Sequence, residues 1–108
     1  MAYYLLIESR DPFECQDVNY YYDLAGSLAA EAEGVTLFLV QNGVLPARQG
    51  AEASGLAAVI ESGVSVCADD FSLRERAIGT DQLAGGIRAA PLDEIIDSMA
   101  AGHKVLWH

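Results

Sequence analysis

Val35-Thr36-Leu37-Phe38-Leu39-Val40 contains no charge and a single hydroxyl. A run this apolar, with no alternation between polar and apolar positions, fits a strand covered on both faces. It leads into Gln41-Asn42-Gly43-Val44-Leu45-Pro46, which reads as a loop with strong turn signals. Tyr3 to Ile7 and Val64 to Cys67 are similar apolar runs. Ile87 to Ala90 is a weaker one, and His103 to His108 reads as a last strand. Helical patterns fill the intervals. Asp17 can cap a helix to about Glu33, with Val18, Tyr21, Tyr22, Ala25, Leu28, Ala29 and Ala32 on one face and Gly34 as its stop. A second helix, rich in small residues, is expected from Ala47 or Gly50 to about Ser62. A short third helix opens at Asp69, Asp70 and Ser72 and continues from Leu73 to Ile78. The fourth starts at Pro91 and places Leu92, Ile95, Ile96 and Met99 on its apolar face before Gly102. This alternation predicts a three-layer α/β/α sandwich with about five mostly parallel strands. At 108 residues it forms one domain, residues 1–108.

Charge narrows the partners. Sixteen acidic residues against six basic ones leave a net charge of −10. Nucleic acid and anionic membrane surfaces both require a basic face, so neither is expected. No stretch approaches the ~20 apolar residues of a membrane helix. Cys15 and Cys67 are far apart in the chain and form no CxxC or Cys/His zinc spacing. No metal or organic cofactor is expected, and free thiols in a reducing cytoplasm are the expectation.

In a parallel sheet with helices on its faces, ligands sit at the carboxyl ends of the strands. Those ends carry Glu8-Ser9-Arg10, Gln41-Asn42-Gly43 and Cys67-Ala68-Asp69. Cys67 reads as the place where the third strand stops, just before a helix start, where a thiolate can be stabilised. The competing reading is a small buried core residue. Phosphate-loop, dinucleotide and serine-hydrolase signatures are missing from the sequence. His103 and His108 flank the last strand and read as solvated strand ends. Asp69 and Asp70 are better read as helix caps than as a magnesium site. Cys15, beside Glu14 and Asp17, reads as a plain exposed thiol.

The chain resembles the DsrE/DsrF-like proteins over nearly its whole length. The resemblance rests on the strand Val35 to Val40 running into Asn42-Gly43-Val44, on Gly63-Val64-Ser65-Val66-Cys67 followed by an arginine-bearing helix ending at Ile78, and on the terminal strand. Arg74-Glu75-Arg76-Ala77-Ile78 follows the family's Arg-Arg-Gly pattern only loosely, with Ala77 where glycine is usual. The resemblance implies a sulfur-relay protein in which Cys67 carries persulfide sulfur between donor and acceptor proteins. Arg74 or Arg76 would then stabilise the thiolate or persulfide, and Asn42 and Gly43 complete the expected ligand- or anion-contacting set. It also implies a homo-oligomer, with Phe71, Leu45 and the Tyr20-to-Tyr22 face as candidate contacts. The alternative is a non-catalytic member of the same fold, acting as an assembly or small-ligand-binding subunit. Exposure and acidity of Cys67 separate the two.

Overall fold

The structure is a computed structural model that describes residues 2–51 and 55–108. Five strands form one sheet: β1 (Tyr3–Glu8), β2 (Gly34–Leu39), β3 (Ser65–Asp69), β4 (Ile87–Ala90) and β5 (Lys104–Trp107). Their order is β4-β3-β2-β1-β5, and every neighbouring pair is parallel. The apolar run at Val35 therefore lies at the centre of the sheet, as its composition predicts. Among the described residues, four α-helices lie between the strands: α1 (Asp17–Ala29), α2 (Leu56–Glu61), α3 (Asp70–Glu75) and α4 (Asp93–Ala100).

Topology distributes the helices unevenly. The chain steps from β1 to β4 in one direction across the sheet, and right-handed crossovers put α1, α2 and α3 on one face. The return from β4 to β5 runs the opposite way and puts α4 on the other face. The first face holds the larger core, including Leu6, Val18, Tyr22, Leu37, Leu39, Val59, Val66 and Leu73. The second is built on Leu5, Ile7, Phe38, Val40, Cys67 and Ala90, with Ile95 and Val105 at its margin. Complete burial of a side chain such as Phe38 contributes about 2–3 kcal/mol. One short helix cannot cover a five-stranded face, and no residue of α4 is fully buried. Phe71, Leu92, Ile96, Met99 and Trp107 consequently stay exposed.

Several expectations need correction. Cys67 is in the middle of β3, not at its end; the strand continues through Asp69. The segment expected as a loop after β2 is a 3-10 turn, Gln41–Ala47. The second helix is shorter than expected, Leu56–Glu61, and residues 52–54 of the expected span lie outside the described residues. Asp17 is in the first turn of α1 and makes no side-chain cap, since Gln16 holds the capping position. Among the proposed contact residues Phe71 and Tyr20 are exposed and Leu45 is partly covered. Tyr21 and Tyr22 are buried against the sheet.

Candidate functional site

Because all five strands are parallel, their carboxyl ends share one edge. Three connections meet there. Asp69, the last residue of β3, caps α3: its Oδ2 accepts from the Ser72 amide at 3.0 Å and from the Ser72 hydroxyl at 2.6 Å. The same hydroxyl accepts from the Gln41 amide at 2.8 Å, which ties the end of β2 to the end of β3. Gln41 has a left-handed backbone, φ +52°, a conformation that a non-glycine residue keeps only when its surroundings hold it. Arg76 reaches back from α3, and its Nε and Nη2 donate to Asn42 Oδ1 at 3.2 and 3.0 Å. Its Nη1 donates to the Ser72 carbonyl at 3.2 Å.

These groups form the polar wall of a cleft of about 890 Å³. Ile95 and Ile96 of α4, with Leu92 just before it, Phe71 and Trp107, form its apolar wall. The chain leaves β3 toward the first face and β4 toward the second, so the cleft opens where successive connections diverge, the usual ligand position in such sheets. Its volume falls within the ~300–1,000 Å³ of small-molecule sites.

The expected site residues are only partly brought together. Asn42 and Arg76 lie side by side on the cleft wall. Arg74 points away, pairing weakly with Asp70 at 3.8 Å and lying 6.0 Å from the Phe71 ring centre. Gly43 is packed under β1, where its amide donates to the Val40 carbonyl, so it offers a ligand nothing. Cys67 is fully buried beneath α4. Burial pushes its thiol pKa up; of the charges that act on it, Arg88 opposes that shift and Glu94 adds to it. Arg88 and Glu94 form a two-pronged pair at 2.9 and 2.8 Å that holds the Glu94 carboxyl below its usual range. Ala77, standing where the resembled family has glycine, adopts φ +54°, the left-handed geometry that glycine accepts most easily.

A second polar cluster lies at the end of β1. Glu8 is completely buried, and its carboxylate meets His108 Nδ1 at 2.8 and 3.0 Å. The Arg10 amide donates to the same carboxylate at 3.1 Å. Tyr21 stacks on the His108 ring at 5.2 Å, and its hydroxyl donates to the Leu106 carbonyl. His108 is thus a structural partner, not a solvated strand end, and His103 likewise stacks on Tyr3. Cys15 is half-buried, with Arg10 Nη1 3.8 Å from its sulfur. Among the described residues no group of three or more His, Cys, Asp or Glu could hold a metal, and no helix is long and apolar enough to cross a membrane.

Neither a family model nor a curated protein matches the chain. Solved structures do. The ychN protein from E. coli is similar over the whole of both chains at 19% identity, with a TM-score of 0.87. The protein of unknown function MTH1491 from Methanobacterium thermoautotrophicum also matches over both full lengths, at 21% identity and a TM-score of 0.81. BT1422 from Bacteroides thetaiotaomicron, a conserved protein of unknown function, matches 97% of this chain and 94% of its own at 15% identity and a TM-score of 0.74. Identities this low establish a shared fold.

Proposed function

We propose that this chain is a non-catalytic DsrE-like subunit that binds a small ligand in the cleft at the carboxyl edge of its sheet. The observation that carries this reading is the pairing of a polar wall from the ends of β2 and β3 with an apolar wall from α4 and Trp107. Convergent polar groups on a largely apolar cleft are the usual form of a binding site. Trp107 is the one tryptophan of the chain, and it lines the cleft. Its emission therefore reports occupancy. A neutral aromatic alcohol, 2-phenylethanol, should shift that emission saturably, with a Kd on the order of 1 mM for so small a ligand. Ile96 is exposed on the wall, so Ile96→Lys should keep the fold and remove the response. An unsaturable change equal in both proteins would end the reading.

Burial of Cys67 is what moves the proposal away from sulfur carriage. A persulfide carrier needs a reachable thiolate, and a buried thiol with a raised pKa is neither exposed nor ionised at neutral pH. In the native protein Cys67 should alkylate at least about a hundredfold more slowly than Cys15, as expected of an inert core cysteine. Incubation with a persulfide donor should add no sulfur to Cys67, read by mass spectrometry. A one-sulfur gain that Cys67→Ser abolishes would restore the carrier reading. The linkage has a definite sign. The folded state keeps this thiol protonated to a higher pH than the unfolded chain does. Its contribution to stability is thus complete below the unfolded thiol pKa, ~8.5, and is lost as pH rises through the folded value.

The partner in this proposal is a second copy of the chain. Tyr20 and Leu24 are exposed on the outer side of α1, away from the cleft, and offer an apolar contact that leaves the site open. Light scattering at micromolar concentration should give a mass above 11.5 kDa. A mass equal to one chain would remove assembly from the proposal.

A further inference from the structure

Among the described residues, one buried polar atom in the cleft has no partner. Asp69 is 2% exposed and lines the cleft. Its Oδ2 takes both Ser72 bonds, while its Oδ1 takes none. A buried carboxylate oxygen left without a donor is costly, and such an atom in a binding cleft marks where a ligand donor would sit. The positive charge nearest at hand is already engaged. Arg76 spends Nε, Nη1 and Nη2 on Asn42 and the Ser72 carbonyl. Glu75 adds a second acidic side chain to the lining, so the cleft carries two carboxylates against one occupied guanidinium. The whole chain is acidic as well, at −10. The cleft is also lined by the aromatic residues Phe71 and Trp107, whose ring faces attract cations as well as apolar groups.

Resting on the cleft-binding reading above, we infer that the ligand is a small organic ammonium: a protonated amine that donates to Asp69 Oδ1, attached to an apolar or aromatic body that covers Ile96 and Trp107. This reverses the sign expected from Asn42, Gly43, Arg74 and Arg76, which together suggested an anion. Gly43 and Arg74 lie off the cleft wall, and three of the five Arg76 N–H donors are already used within the protein. The residue that decides the sign, Asp69, has a second role as a helix cap, and the cap uses only one of its two oxygens.

Three probes of equal body decide it by Trp107 emission, checked by calorimetry: phenethylamine, 2-phenylethanol and 3-phenylpropionate. The amine should bind about tenfold or more tightly than the alcohol, the difference expected for a charge-assisted bond to a buried carboxylate. The acid should bind weakest of the three. Asp69→Asn keeps a good capping residue, so the helix should persist by circular dichroism. In that variant the amine should fall to the affinity of the alcohol, and the alcohol should change little. If the acid binds as well as the amine, the ammonium inference is overturned and the cleft reading survives. If no probe binds, both are overturned. The comparison among probes uses the unchanged protein, so it decides the matter even if Asp69→Asn does not fold.

Discussion

Gly43→Ala should be among the most damaging single changes in this chain, lowering stability by about 3 kcal/mol and Tm by roughly 10 °C or more. A Cβ on Gly43 would run into the carbonyl oxygen of Glu8. That oxygen is not free to move, because it accepts from the Val40 amide at 2.9 Å. Glu8 is itself fixed at the end of β1, beside β2. The obstacle is backbone rather than the tip of a flexible side chain, so relief requires displacing two strand ends. Gly85→Ala provides the control: a Cβ there would meet nothing within 4 Å, and the backbone is not left-handed. Urea unfolding of both variants is the measurement. Equal stability of the two would mean that the turn after β2 can shift away from β1, and the close packing of these ends would lose its structural importance.

The same glycine marks where sequence reasoning reaches its limit. The fold was legible because its signals are local. Val35 to Val40 is apolar throughout, and helical periodicity at Val18, Tyr21, Tyr22 and Ala25 points to a single buried face. Asp69 was legible as a cap for the same reason, because Ser72 is only three residues away. Asn42 and Gly43 read equally well as a ligand loop, and nothing local distinguishes them. The structure does: Asn42 turns to Arg76 in the cleft, and Gly43 turns under β1. Cys67 was misplaced because the strand end could not be read past Ala68, a residue that suits a strand or a helix start. Two more residues of strand carry the thiol from the edge of the sheet into its core. Trp107 and Ile96 meet in one cleft only because β5 pairs with β1 and α4 crosses the second face. Strand order is a long-range property, and no spacing in the sequence encodes it.

The pair that depends most on strand order is Glu8 and His108, 100 positions apart and in contact at 2.8 Å. His108→Ala should cost about 3 kcal/mol, the range for leaving a completely buried carboxyl group without its side-chain partner. Glu8 sets the size of the loss. It is completely enclosed, so a carboxylate left there with only the Arg10 amide would be poorly compensated. Nδ1 of His108 is the side-chain partner of both Glu8 carboxyl oxygens, and removing the ring removes it. The other hydrogen bonds of His108 are made by its backbone: its amide donates to the Ile7 carbonyl at 2.9 Å, and its carbonyl accepts from Ser9. Alanine keeps those, so the loss isolates the side chain. The double change Glu8→Met with His108→Phe removes the charge and its partner together while keeping a ring against Tyr21, and it should recover most of the loss. Denaturant unfolding of the single and double variants tests this, with hydrogen exchange of the β5 amides as the local readout. A loss below about 1 kcal/mol in His108→Ala would mean that water or a shifted Arg10 takes over the carboxylate. In that case β5 is held by its backbone ladder and Val105 rather than by the buried pair.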